Sequence, residues 1–113
     1  MNISYEGIGN YSITAEVDKT VKNGYACAIR TDKRAYVADD DENILGIVNA
    51  IRENHANVVI SGVVTAAYSG TAPTVGNSCL RGDGSGKVTV NAAGENYRIL
   101  SVDTNKKTVT FIL

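Results

Sequence analysis

The chain has 113 residues, 43% of them hydrophobic and 20% charged, with 11 basic against 12 acidic side chains and a net charge of −1. This composition excludes a disordered chain, and the length suits one domain with a single core. The near-neutral balance lacks the electrostatic footprint of a dedicated nucleic-acid binder, so no nucleic-acid partner is expected.

No apolar run approaches ~18 residues, so no membrane-spanning helix is expected. The opening Met-Asn-Ile-Ser-Tyr-Glu is neither basic nor apolar, which gives no expectation of a secretory leader. Val, Ile and Thr together supply 33 residues against only 4 Leu. Side chains branched at Cβ lose freedom in helices and pack well on a pleated surface, so the expected class is all-β.

In chain order, residues 1–11 are expected to form an N-terminal arm or edge strand, and residues 12–113 the β domain. Ile3, Tyr5 and Ile8 are spaced through Gly and Asn. Tyr11, Ile13, Ala15 and Val17 then alternate with Ser12, Thr14 and Glu16, the period-2 pattern of a half-buried strand. Asn23-Gly24 is a turn signal. Residues 25–30 and 34–38 read as short strands about the turn Thr31-Asp32-Lys33.

After the acidic run Asp39-Asp40-Asp41-Glu42 come Ile44, Leu45, Ile47, Val48 and Ile51. Their spacing is helical and the Asp residues are placed as caps; the rival reading is a strand, because Gly46 sits inside the segment and most of these residues are branched, and the spacing leaves the two open. Residues 52–57 read as a polar turn. Residues 57–69 form the strongest strand run, with Gly62 suggesting a bulge or bend. A loop spans 70–76, a short extended piece 78–81, a glycine turn 82–86 and a strand 87–90. Residues 97–103 and 107–113 read as a terminal hairpin about Thr104-Asn105-Lys106. Nine or ten short strands with turn signals every 8–12 residues predict a single compact β-sandwich or small β-barrel.

Few motifs carry chemistry. Gly82-x-Gly84-x-Gly86-Lys87 resembles a phosphate loop, but Arg81 and Val88 stand where that loop needs Gly and Ser/Thr, and a strand follows rather than a helix. Asp39-x-Asp41-x-Asn43 begins like a calcium loop, but Ile44 and Ala50 occupy the required Gly and Glu positions. Arg81-Gly82-Asp83 is the integrin-recognition tripeptide, yet Gly-Asp is ordinary turn chemistry. His55 is the only histidine and has no neighbouring ligands. No strained-turn nucleophile motif is present; Gly84-Ser85-Gly86 matches only its centre. No enzymatic activity, cofactor or metal is expected. Cys27 and Cys79 match no metal spacing and are expected as buried, reduced thiols, with a single bridge between them as the alternative. The six tyrosines are expected to pack singly at sheet edges with wet hydroxyls.

In its order of segments the chain resembles the small capsid cement, or head decoration, proteins of tailed phages. The resemblance rests on Ile44-Leu45-Gly46-Ile47-Val48, Ser61-Gly62-Val63-Val64-Thr65, Tyr68-Ser69-Gly70-Thr71-Ala72-Pro73 and Val75-Gly76. It continues through Leu80, Asp83-Gly84-Ser85-Gly86-Lys87-Val88, Arg98-Ile99-Leu100-Ser101-Val102-Asp103 and Thr108-Val109-Thr110, covering about residues 24–113. It implies a compact β fold without catalysis and a strand rather than a helix at 44–51. It also implies a place on the outer surface of the virion, with the major capsid protein as partner and self-association as a trimer. The acidic run at 39–42 departs from the pattern. The candidate capsid contacts are Ile3, Tyr5, Ile8 and Tyr11, on an extended segment able to add a strand to an exposed capsid edge. The alternatives are a tail or baseplate β domain, or a surface carbohydrate-binding module. The absence of Trp and an aromatic content of 6% speak against the last.

Overall fold

The computed structural model describes residues 11–39 and 42–113, which form ten strands and no helix. They are β1 (Tyr11–Glu16), β2 (Ala26–Ile29), β3 (Ala35–Val37), β4 (Gly46–Arg52) and β5 (His55–Ser61), followed by β6 (Val63–Ser69), β7 (Gly76–Gly82), β8 (Val88–Val90), β9 (Glu95–Asp103) and β10 (Thr108–Ile112). The first five form one sheet in the order β1-β5-β4-β2-β3, and the last five close into a barrel in the order β10-β6-β8-β7-β9. Every named strand pair is antiparallel except β6–β8, where Tyr68 lies beside Val88 and Ser69 beside Thr89. The all-β class and the strand count are as expected.

Two cores explain why so many branched residues are needed. The larger fills the barrel and the space between barrel and sheet. Val64, Ala66, Leu80, Val88, Ile99, Val109 and Phe111 meet Ala26, Ala28, Ile47 and Val59 from the sheet. Inside it Tyr97 packs edge-on against Phe111 at 5.3 Å, a favoured aromatic geometry. The second core lies on the opposite face of the sheet, where Ala15, Cys27, Ala35, Val48, Ala56 and Val58 pack together. The sheet curls around this core until its ends touch. Val17 bridges Ala35 in parallel, and the Asp18 N–H donates to the Ala35 carbonyl at 3.0 Å. Gly46, Ile47 and Val48 on β4 and Val58 and Val59 on β5 are therefore buried on both sides of the sheet.

This layering corrects two expectations and bears out the strand that the resemblance implied at 44–51. The run 57–69 is two strands in different sheets, and Gly62, at φ +107°, is where the chain crosses between them. The turn expected at 52–57 shrinks to Glu53 and Asn54, with Glu53 left-handed at φ +57°; Arg52 and His55 are already paired across β4 and β5. The helical spacing at 44–51 belongs to a strand. Ile47 faces the barrel and Val48 the second core, and a bulge between Val48 and Ala50 returns Ile51 to the same side as Val48. A two-sided strand with one extra residue mimics an i, i+3, i+4 pattern.

The cysteines divide. Cys27 is fully buried and donates weakly to the Gly46 carbonyl at 3.6 Å, and burial pushes its pKa up to about 11. Cys79, expected to be buried, is only half-buried, because it lies on β7 facing Asn96 at the outer surface of the barrel. Thiol titration of the native protein is expected to label Cys79 slowly and Cys27 not at all, with both labelled after unfolding. Equal native rates would contradict this difference in burial.

Candidate functional site

Of the four candidate contacts, Ile3, Tyr5 and Ile8 lie outside the described residues. Tyr11 begins β1 and is 73% exposed. Among the described residues β1 pairs with β5 along one side only, Ser12 opposite Val59 through Glu16 opposite His55. The Val17 N–H donates to the Asn54 carbonyl at 2.9 Å, which sets the phase of the ladder. In an antiparallel pair the inward-bonding residues alternate, so Ile13 and Ala15 direct their backbone groups at β5. Ser12, Thr14 and Glu16 direct theirs away. Asp18 continues this outward phase and finds Ala35. Edge strands are normally blunted by Lys, Pro or inward charge, yet Tyr-Ser-Ile-Thr-Ala-Glu carries only Glu16 at its end. Sequence reasoning named Tyr11 and missed this backbone edge; the missing Lys and Pro were the available signal.

The acidic run is drawn into a local network. The Arg30 guanidinium reaches Asp39 at 3.1 Å and Glu42 at 2.9 Å, and lies 4.5 Å over the Tyr36 ring. The Tyr36 hydroxyl donates to Asp32. Glu42 also accepts from the Asp39 N–H at 2.9 Å, while the Glu42 N–H donates to the Asp39 carbonyl at 3.0 Å. The hydrogen bond from Arg30 holds the Glu42 carboxyl below the usual range. Asp40 and Asp41 lie outside the described residues. Asp39 and Glu42 are thus hydrogen-bonded to each other and to Arg30.

The glycine turn at 82–86 clasps the barrel to the sheet. The Gly82 N–H donates to the Glu42 carbonyl, the Gly84 N–H to Ala38, and the Gly86 carbonyl accepts from Ala26. Asp83 organises the turn, accepting from Ser85 N–H at 2.8 Å, Ser85 Oγ at 2.8 Å, Lys87 N–H at 3.1 Å and Ser69 Oγ at 2.6 Å. Its carboxylate is thus engaged inside the fold rather than offered beside Arg81 as an adhesion motif would require. Arg81 itself donates to Asn43 at 3.3 Å. Burial works to raise the Asp83 carboxyl, but the hydrogen bonds from Ser69, Ser85 and Lys87 together outweigh it and hold its pKa below the ordinary value. A lowered folded pKa stabilises above the unfolded value of about 3.9, and the gain is lost as pH falls through the folded pKa. Melting from about pH 6 down to about pH 2 is expected to show a steep loss of stability below about pH 4, with a shallower slope in Asp83→Asn. The residual slope belongs to Asp18, Asp32 and Glu42, whose carboxyls are also lowered. Identical slopes in both proteins would remove Asp83 from the clasp.

A shallow open groove of about 500 Å³ crosses β1, β5 and β4, lined in part by Thr14, Arg52, Glu53, His55 and Asn57. His55 sits between Glu16 and Arg52 across the strands. Among the described residues no three His, Cys, Asp or Glu side chains come together as a metal-binding group. The tyrosines are less uniform than expected: Tyr68 and Tyr97 are core residues, because both fall in the inward phase of barrel strands. No family model matches the chain, and no curated protein sequence matches it. No helix among the described residues is long and apolar enough to cross a membrane.

Proposed function

We propose that this chain is a non-enzymatic decoration protein of tailed-phage heads, added to the outer surface of the matured shell, where it ties neighbouring major capsid subunits together. The observation that supports this reading best is the outer edge of β1, which no strand among the described residues covers, held on a domain with two packed cores. An extended segment of a partner can extend a sheet there by main-chain hydrogen bonds. Tyr11 adds an exposed aromatic at the same point. A protein that binds only the assembled, expanded lattice stabilises that state by mass action, with no catalysis. The clasped turn at 82–86 fits a rigid brace, because its backbone groups bond to Glu42, Ala38 and Ala26 across the two halves of the fold.

The test is co-sedimentation with undecorated mature heads, with free capsid subunits in parallel. Binding to heads and not to subunits is the expected result, since a lattice site is completed only when several subunits are in place. Failure to bind heads would overturn the decoration role.

A further inference from the structure

Directly opposed residues of neighbouring strands share a face, so the registers sort β1, β5 and β4 into rows of side chains. On one face lie Ile13-Val58-Val48 and Ala15-Ala56-Ile51, all belonging to the second core or packed against it. On the other face lie Thr14-Asn57-Ala50, which line the open groove, and Glu16-His55-Arg52. A strand added to the outer edge of β1 lengthens each row by one residue. Ile13 is only partly buried and Ala15 offers only a methyl, so the positions opposite them favour apolar side chains that continue the second core. The position opposite Thr14 joins a neutral polar row. Thr65 and Thr110, opposed across β6 and β10, already show the pair that suits it, their hydroxyls bonding each other at 2.8 Å.

The position opposite Glu16 meets the only charge on β1. Among the described residues the ion pairs are those of Arg30 with Asp39 and Glu42, so the exposed Glu16 has none. Its neighbour in the row is His55, and Arg52 stands two strand spacings away, about 10 Å. A Lys or Arg opposite Glu16 supplies the missing cation, whereas an Asp or Glu there would set two carboxylates face to face. The Val17 bridge to Ala35 and the Asp18 N–H bond to the Ala35 carbonyl close the edge just beyond Glu16. The added ladder is thus confined to residues 12–16, about 17 Å of strand. We infer that the occupant of this edge is a short extended segment of a partner protein with alternating polar and apolar side chains. It places apolar residues opposite Ile13 and Ala15, a Thr or Ser opposite Thr14, and a Lys or Arg opposite Glu16. These positions hold whichever way the segment runs, because opposed residues share a face in both orientations. The specificity rests on the decoration reading, in which the segment belongs to a major capsid subunit.

The test has two arms. In the first, amide resonances of the full isotope-labelled chain are followed while the capped peptides Lys-Val-Thr-Val-Lys and Glu-Val-Thr-Val-Glu are added, whose symmetry makes direction immaterial. Shifts at residues 12–16 are expected, with the Lys peptide bound about fivefold more tightly. In Glu16→Lys this order is expected to reverse, and Thr14→Pro is expected to bind neither peptide. In the second arm, Glu16→Lys is expected to weaken co-sedimentation with undecorated mature heads at least about tenfold, and Glu16→Gln about threefold. Circular dichroism checks the fold of each variant. Absence of shifts at residues 12–16 up to about 10 mM peptide, or a preference that Glu16→Lys leaves unchanged, would overturn the proposal. Full head binding by Glu16→Lys would overturn it too, with the decoration role intact. So would self-association abolished by Glu16→Lys while head binding stands, because the edge would then belong to a second copy. Failure of the parent chain to bind heads, with the peptide preference and its reversal observed, would remove the decoration role and leave the specificity of the edge standing.

Discussion

Replacing Thr14 with Pro is expected to weaken binding to undecorated mature heads by about a hundredfold, or about 2.7 kcal/mol, while the domain stays folded. Thr14 is central among the three residues whose backbone groups point away from β5, as the Val17 to Asn54 bond and the register dictate. Proline is tolerated on an edge strand where the lost N–H faces outward, so the β1–β5 ladder survives. A partner strand meeting the introduced proline loses one central hydrogen bond, at about 0.5–1.5 kcal/mol, and meets the ring as well. Thr14→Ala leaves the backbone intact and is expected to bind within about threefold of the parent. Tyr11→Ala, which removes an exposed ring without touching the ladder, falls between the two. Deleting residues 2–8 in the same assay separates the preceding segment from the β1 edge. Full binding by Thr14→Pro would show that the edge is not the contact.

The alternation in β1 was legible because that strand has one wet face: Ser12, Thr14 and Glu16 are exposed while Ala15 is buried. The same logic gave the terminal hairpin, where Val109 and Phe111 point inward between Thr108 and Thr110. It failed where a strand is buried on both sides. β5 places Val59 in the barrel-side core and Val58 in the other, so the run 57–69 shows no period and no sign of a change of sheet beyond Gly62. The bulge in β4 had the same effect on residues 44–51. For those residues the resemblance to decoration proteins gave the strand that periodicity alone did not. The candidate site was legible in part, since a side-chain reading finds Tyr11 and cannot see which backbone groups of Ser12, Thr14 and Glu16 point away from β5. Asp83 was likewise read as turn chemistry, which is correct locally. Its reach to Ser69 and the clasp it organises between barrel and sheet depend on contacts distant in sequence.

That clasp is expected to be sensitive to a single added methyl. In Gly86→Ala the new Cβ would sit 2.5 Å from Tyr25 Cγ and 2.6 and 2.7 Å from the two Cδ atoms. Gly86 also has φ +96°, a conformation side chains rarely adopt. Overpacking costs about 1–3 kcal/mol and the left-handed backbone about 1–2 kcal/mol, so a total loss of about 2–5 kcal/mol is expected. That is a large share of the roughly 5–15 kcal/mol that holds a domain together. The strain cannot be relieved by moving the turn, because the Gly86 carbonyl accepts from Ala26 at 2.9 Å and Gly84 is tied to Ala38. Gly24→Ala provides the comparison: its φ is +84° but nothing lies within 4 Å of the added Cβ, so only the backbone cost of about 1–2 kcal/mol applies. Denaturant unfolding of both variants therefore separates the steric part from the conformational part. Removing the ring with Tyr25→Ala is expected to cost at least about 1 kcal/mol less in the Gly86→Ala background than alone, since the clash disappears with it. If Gly86→Ala were no worse than Gly24→Ala, the Tyr25 ring would be free to move aside, and the 82–86 turn would not be the rigid joint between barrel and sheet.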